Sequence, residues 1–341
     1  MALSFAVVGA GAIGAYVGAA LARADHPVTL IARGEHLRAM RDAGVHVRSP
    51  RGDFEAHPKA TDRIEDVGAV DVVLLSVKAH QIEPLLPTLP TLFHEHTVVV
   101  SMQNGLPWWY FQRHGGPYDG WRLETLDPAG RIAATIAPER VIGSTIYIAT
   151  ELEAPGVIHH VEGTRLSLGE PDRSLSARLE ALAGALVAGG LKAPVEREIR
   201  AEIWLKLLGN ASFNPISALT HATLRAMTDD ALVEPLVREM MEESLAIADR
   251  LGVRPTITIE RRIEGARQVG AHKTSMLQDL EAGKALEIEA LVGAVVELGG
   301  RLEIPTPATR HVYALVKLLE RTNVARHASY PSRAGRAPEE S

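Results

Sequence analysis

Lys206, Asn210 and Asn214 recur every fourth residue in the stretch "EIWLKLLGNASFNPISAL" that starts at Glu202. At about 3.6 residues per turn, this spacing brings one ammonium and two amides onto one stripe of a helix. The neighbours Ile203, Leu205, Leu207, Leu208 and Phe213 make that helix mostly apolar. An ammonium among apolar residues can protonate an alkoxide as it forms on a carbonyl carbon. Burial would lower its pKa toward the working range. The amides are uncharged donors and acceptors suited to a small polar substrate. A lysine snorkelling to solvent above an Asn-Pro helix terminus would give the same pattern. A second cluster lies in "TSMLQDLEAGKALEIEALVGAVV". Here Ser275 and Asp279 share a helical face, and Glu287 and Glu289 open the next apolar helix. Ser275 could bind a carboxylate, and Glu287 could accept a substrate hydroxyl or orient Lys206. Caps and solvated faces are the ordinary uses of such residues.

A carbonyl reductase needs a hydride donor, and the N-terminus offers a place for one. In "VVGAGAIG", Gly9, Gly11 and Gly14 form G-x-G-x-x-G directly after a short apolar run and at the start of an Ala-rich helix. The first glycine permits the tight turn, the second lets a pyrophosphate approach the backbone, and the third lets helix and strand pack closely. With Ala12 and Ile13 between them, these residues face the phosphates from a helix N-terminus. The next strand, "VTLIAR", ends in Arg33, nineteen residues after Gly14, with no acid at its tip. An arginine there suits a 2′-phosphate, so the expected cofactor is NADP, although Glu35 stands close by. Lys78 follows the apolar run "VDVVLLSV" and could reach the same phosphate or the adenine; a surface lysine would read the same. In "MQNGLP", Asn104-Gly105 is a turn signal. The Asn104 amide either only serves that turn or points at the nicotinamide or substrate.

The elements that must position these residues follow from periodicity. Short β-branched runs at Ser4 to Val8, Pro27 to Ala32, Val70 to Val77 and Thr97 to Ser101 alternate with helical stretches, and Val141 to Ala149 and Arg165 to Leu168 suggest later strands. Val45 to Val47 and Phe54 to Ala56 flank "SPRGD" as a hairpin, and Gln81 to Leu92 reads as a helix with proline breaks. Such alternation predicts a doubly wound α/β domain of the Rossmann type with a mostly parallel sheet. From about Glu196 strand-like runs vanish, and helical patterns fill the rest, so an all-α C-terminal domain is expected. The reading divides the chain into a nucleotide-binding domain over 1–197, a helical substrate domain over 198–325 and a disordered tail over 326–341. Asn214-Pro215 reads as a helix stop followed by a restart, and the glycine-rich Gln112 to Arg131 as an inserted loop.

Composition narrows the function classes. The 341 residues are 46% hydrophobic and 23% charged, with a net charge of -6 and no cysteine. Nucleic acid and anionic membrane are not expected as partners, and thiol chemistry and disulfides are excluded. The apolar start lacks a basic n-region, so it is not read as a signal peptide, and no stretch reaches the length of a spanning helix. A cytoplasmic protein is expected. His94 with His96, and His159 with His160, lack acids at ligand spacing, so no metal is expected. The apolar C-terminal helices suit a homodimer.

The ordered set "GAGAIG", "LSVKAHQ", "QNG", "RAEIWLKLLGNASFNPISAL", "TSMLQDLEAGKALEIEAL" and "GRLEIPTPAT" resembles the ketopantoate reductases (2-dehydropantoate 2-reductases) over about residues 3–320. The glycine fingerprint is widely shared; the Lys-Asn-Asn helix with "SMLQD" and "EIE" is far more specific. The resemblance implies NADPH-dependent reduction of a 2-keto acid to a 2-hydroxy acid. By position, Lys206 matches the proton donor and Glu287 the glutamate that engages the substrate's hydroxyl end. Asn104, Asn210, Asn214 and Ser275 match polar substrate-site residues, and Arg33 and Lys78 match basic residues near the adenosine 2′-phosphate. Two departures bear on the substrate. "WWYF" (Trp108 to Phe111) follows "QNGLP" and either reshapes the pocket or packs an inserted loop, and Leu224 stands where some members have a further asparagine. Reduction of another 2-keto acid or an imine, or a non-catalytic NADP-binding sensor, are the alternatives.

Overall fold

The computed structural model describes residues 2–329. By internal packing the chain divides into Met1–Lys206 and Leu207–Ser341.

The N-terminal unit is built on a nine-stranded sheet. Its strands are β1 (Phe5–Val8), β2 (Val28–Ile31), β3 (Val45–Arg48), β4 (Phe54–Ala56), β5 (Lys59–Thr61), β6 (Val70–Leu75), β7 (Phe93–Ser101), β8 (Val141–Ala154) and β9 (Val157–Gly169). The order is β4-β3-β9-β8-β7-β6-β1-β2-β5. The run β5-β2-β1-β6-β7-β8 is parallel throughout and has the Rossmann order 3-2-1-4-5-6. β8 and β9 form a long antiparallel hairpin, and the β3–β4 hairpin pairs onto β9. β1 and β6 read as continuous apolar runs because both of their faces are covered: every residue of β1 is buried, as are five of the six in β6. Helix α1 (Ala12–Arg23) follows β1, and α2 (Gly34–Ala43) follows β2 and stops at Gly44, which has φ of 78°. A short α3 (Arg131–Thr135) precedes β8, and α4 (Ala177–Ala188) follows β9.

The expected helix over Gln81 to Leu92 is replaced by separate 3-10 turns at Ala79–Gln81, Glu83–Leu85 and Leu89–Leu92. Pro84, Pro87 and Pro90 recur every third residue, and each removes a donor that an α-helix would need. Helix α5 (Ile199–Thr220) corrects a second expectation. It runs through Pro215 without a stop. A helical proline costs about 3 kcal/mol, but Phe213, Asn214, Ile216, Ser217 and Ala218 are all buried, and that much packing outweighs one lost bond. The division by packing falls inside α5, after Lys206, whereas strand-like sequence stops near residue 197. The difference has a physical cause: Ile199 packs directly against Gly143 of β8 and Gly169 of β9, so the first turns of α5 belong to the sheet's core.

The C-terminal unit is all-helical. It continues through α6 (Leu224–Asp229), α7 (Val233–Arg250), α8 (Ile259–Val269) and α9 (Ser275–Glu281). A π-helical turn, Glu289–Gly293, leads into α10 (Ala294–Arg301), and α11 (Pro307–Ser329) ends the described chain. α11 extends past residue 325, where the tail was expected to begin; 330–341 lie outside the described residues. Among the described residues no helix is long and apolar enough to cross a membrane.

The start of α11 is held by one buried carboxylate. Glu243 of α7 accepts the backbone N–H of Ala308 at 2.8 Å, that of Thr309 at 2.9 Å and the Thr309 hydroxyl at 2.5 Å. The two N–H groups are donors that a helix N-terminus cannot satisfy within itself. Glu243→Ala would strand three buried donors, so we expect a loss of about 2–4 kcal/mol, read as a fall in the urea midpoint at unchanged m-value.

Candidate active site

The glycine fingerprint has the geometry its chemistry requires. At Gly9, φ is +93°, and a Cβ would lie 2.5 Å from Val77 Cγ1, so only glycine fits the turn out of β1. At Gly14 a Cβ would lie 2.5 Å from the Gly9 carbonyl oxygen, which is the close packing of α1 on β1. Gly11 is the opposite case: nothing lies within 4 Å of its Cβ position. It is the N-cap of α1 and makes no side-chain cap, and the first turn of α1 holds no acid. The first N–H groups of a helix, here those of Ala12, Ile13 and Gly14, have no intrahelical acceptor. The crowded glycines thus shape a loop whose open side and helix dipole suit a pyrophosphate. The loop is pinned to the neighbouring strand, since Gly9 and Ala10 both donate to Ile31 O, at 3.2 and 2.8 Å.

The other expected cofactor residues sit at the same carboxyl edge of the sheet, where open α/β folds bind ligands. Arg33 lies two residues beyond β2, exposed, as the N-cap of α2. Lys78 is half-buried beyond β6 and caps the turn Ala79–Gln81, with its backbone N–H donated to Gln81 Oε1 at 3.1 Å. Gln103 and Asn104 follow β7. Gln103 Nε2 donates to Leu75 O at 2.6 Å and Val77 O at 3.0 Å, and so ties the end of β6 to the loop after β7.

Lys206 reaches this edge from α5. Its Nζ donates to Asn104 Oδ1 at 2.7 Å and to the carbonyl of Ile146, on β8, at 2.6 Å, and lies 5.6 Å from the Tyr147 ring centroid. The Asn104 amide therefore does more than make a turn. Gln103, Asn104, Ser144, Thr145 and Lys206 line one small pocket.

What fixes Lys206 was not read from the sequence. Arg200, six residues earlier, is only 1% exposed. Its guanidinium donates to Tyr110 O at 2.8 Å, to Gln112 O at 3.0 Å and to Pro171 O. Burial pulls its pKa down to about 10, so it stays charged at neutral pH. Trp204 Nε1 donates to the Tyr110 hydroxyl at 2.7 Å, and burial pushes that phenol up to about 12. Trp109 Nε1 donates to Ser101 Oγ at 2.6 Å, and its ring lies against Gly143, where any Cβ would collide with it. Trp108 to Phe111 are all buried in this unit and none lines the pocket. The four side chains of "WWYF" pack the loop, and through Ser101 Trp109 also braces one wall of the pocket. Arg200 and Trp204, four apart on a mostly apolar helix, were the available signal.

In the C-terminal unit the structure brings two expected substrate residues together. Asn214, 5% exposed, donates its Nδ2 to Ser275 Oγ at 3.4 Å, a long and weak bond. Ser275 is exposed at the first position of α9, after the Thr274 cap, and Asn210 is half-buried one turn before Asn214. Glu287 is half-buried between Leu286 and Ile288, just ahead of the π-helical turn.

Comparison with known proteins decides what this assembly belongs to. Family models described as ketopantoate reductase PanE/ApbA and ketopantoate reductase PanE/ApbA C terminal match residues 5–173 and 198–320. The chain belongs to the ketopantoate reductase family of oxidoreductases. The 2-dehydropantoate 2-reductase of Mesorhizobium japonicum is 50% identical over 318 residues, covering 93% of this chain and 98% of that one. A PanE/ApbA family ketopantoate reductase from Ralstonia eutropha superposes with a TM-score of 0.81 at 28% identity, covering 94% of this chain and all of that one. The 2-dehydropantoate 2-reductase of Geobacter metallireducens gives 0.82 at 28% identity, covering 93% of this chain and all of that one. The Rossmann-type sheet and the helical C-terminal unit are the fold of this reductase family.

Gly11→Ala tests the cradle directly. The new methyl meets no protein atom, so the melting temperature should stay within about 2 °C of the parent, while nicotinamide nucleotide affinity, read by titration of ligand fluorescence, should fall about tenfold or more. Unchanged affinity would remove the phosphates from this loop.

Proposed function

We propose that this chain reduces 2-dehydropantoate to pantoate with NADPH, and that Lys206 delivers the proton. The observation that carries this reading is Lys206 Nζ, held by Asn104 Oδ1 and Ile146 O at the sheet edge that also carries the glycine cradle. Gly9, Gly11, Ala12, Ile13 and Gly14 would hold the nucleotide, which would supply the hydride. The chain's own groups do the rest. As C2 gains the hydride its carbonyl oxygen becomes an alkoxide, and Lys206 Nζ gives that oxygen a proton. Lys206 then recovers a proton from solvent. Asn104 orients the ammonium and contacts substrate or nicotinamide. Asn210, Asn214 and Ser275 hold the carboxylate, and Glu287 accepts the substrate's hydroxyl. These assignments rest on the match of each residue to the family pattern. The names of the relatives, and the 50% identity to one of them, support 2-dehydropantoate as the keto acid.

Lys206→Ala should lower kcat with 2-dehydropantoate by about 10²–10⁴-fold, the usual contribution of a positioned acid, with little change in nucleotide affinity. Full retention of NADPH oxidation would remove the mechanism. Initial rates on 2-dehydropantoate, set against a panel of 2-keto acids and imines, test the substrate: negligible turnover beside good turnover of another compound overturns it.

The preference for NADPH rests on Arg33, an exposed guanidinium at the tip of β2, with Lys78 nearby on the same edge. A charge-assisted bond to a 2′-phosphate is absent with NADH. Arg33→Ala should therefore raise the KM for NADPH about tenfold and leave that for NADH within about twofold. An unchanged NADPH/NADH ratio would take Arg33 out of the phosphate site.

A further inference from the structure

Four ionisable residues of the C-terminal unit form a chain that reaches the backbone segment on either side of Glu287. The Glu289 carboxylate, at the start of the π-helical turn, accepts the Tyr313 hydroxyl on Oε2 at 2.8 Å and pairs through Oε1 with Lys317 Nζ at 2.8 Å. Lys317 also reaches Glu320 Oε2 at 3.2 Å. Glu320 Oε1 in turn accepts the backbone N–H of Leu286 at 3.2 Å. Tyr313, Lys317 and Glu320 are spaced four and three apart, so they share one face of α11.

The chain closes on both sides of one residue. Leu286 is bonded to α11 directly before Glu287, and Glu289 is bonded to α11 two residues after it. Leu286 and Ile288 are buried at 4% and 1%, so the backbone through Glu287 is anchored by packing as well as by these bonds. The π-helical turn is part of the device. A Cβ on Gly293 would collide with Glu289 Oε2, and it would come within 3.3 Å of Tyr313 Cε2. Glycine at that place lets the carboxylate fold back to meet the phenol. π-helical turns of this kind are frequent at functional sites. Burial first, then Glu289, pushes the Tyr313 phenol up to about 12, so it donates throughout the neutral range. Burial works against the Lys317 charge, but Glu289 and Glu320 outweigh it and raise its pKa.

We propose that Tyr313, Lys317 and Glu320, acting with Glu289, are positioning residues that fix the Glu287 carboxylate for the hydroxyl end of the keto acid. This rests on the role given to Glu287 above. Lys317 is the joint: it binds both carboxylates, one tied ahead of Glu287 and the other behind it. Without it, Glu289 and Glu320 are two like charges with no cation to share, and both restraints on the segment loosen. The consequence is lost recognition of one functional group, with binding of the nucleotide left intact.

The test is discrimination between 2-dehydropantoate and trimethylpyruvate, which is the same keto acid without its hydroxyl. The kcat/KM ratio of the two is measured for the parent, Glu287→Gln, Lys317→Met, Lys317→Arg and Tyr313→Phe. Glu287→Gln should lower the ratio at least about tenfold, and Lys317→Met about five- to tenfold, through KM for 2-dehydropantoate with the NADPH KM unchanged. Lys317→Arg should return the ratio to within about twofold of the parent. If Lys317→Met does not fold, Tyr313→Phe, which removes a single hydroxyl, reads the same ratio. A collapsed ratio in Glu287→Gln, with Lys317→Met and Tyr313→Phe within about twofold of the parent, overturns the positioning role alone. A parental ratio in Glu287→Gln itself overturns the reading of Glu287, and this inference with it.

Discussion

A buried guanidinium fixes the first turns of α5, and the placement of Lys206 at the sheet edge depends on it. Arg200 is surrounded by the carbonyls of Tyr110, Gln112 and Pro171. These come from two separate loops, so one side chain sets the distance between the helix and both. With its pKa near 10, the charged form is still favoured by about 4 kcal/mol at pH 7. That margin means the carbonyls face a permanent cation. Trp204 adds a second fixed point one turn later through the Tyr110 hydroxyl. Two points one turn apart define both the axis and the rotation of a helix. Lys206 follows within the next turn, so its Nζ arrives at Asn104 and Ile146 O with little freedom left to lose.

The carboxyl edge of the sheet shows how a fold assigns tasks by position. Gly9 and Gly14 are crowded and Gly11 is open, though all three belong to one motif. Steric pressure at the first and third shapes the loop, and the space at the second is what a ligand can use. The same division holds after β6 and β7. Gln103 spends its amide on Leu75 O and Val77 O, which ties two strand ends together, while Asn104 beside it turns its oxygen to Lys206. Adjacent amides of almost identical chemistry thus do different work, one holding the frame and the other reaching the ammonium.

Much of this was legible in the sequence, and what was not has identifiable causes. Strand-helix alternation, the glycine spacing and the stripe of Lys206, Asn210 and Asn214 are periodic features, and the parallel sheet and helical C-terminal unit followed from them. Periodicity is blind to backbone acceptors, so Ile146 O, one of the acceptors of Lys206, left no mark. It is also blind to tertiary override. Pro215 carries a strong local stop signal, yet the buried residues around it hold α5 in one piece. Over Gln81 to Leu92 local chemistry won instead, because three prolines remove too many donors for any packing to restore a helix. The π-helical turn at Glu289 depends on one extra residue in the backbone count and on a partner face of α11, and neither leaves a pattern along the chain.

The aromatic segment "WWYF" illustrates how a buried loop can matter without lining a pocket. Its four rings are buried, and the bonds that matter are made by its backbone and by two ring heteroatoms: Tyr110 O to Arg200, the Tyr110 hydroxyl to Trp204, and Trp109 Nε1 to Ser101. The loop after β7 brings the backbone carbonyls of Tyr110 and Gln112 to α5. Once they are there, a cation is needed to satisfy them, and Arg200 is that cation. Loop and arginine are therefore one device: displacing the loop would leave a buried charge short of acceptors, and removing the charge would leave buried carbonyls without donors. Such mutual dependence ties the segment to the lysine six residues beyond Arg200, although none of its four rings lines the pocket that the lysine lines.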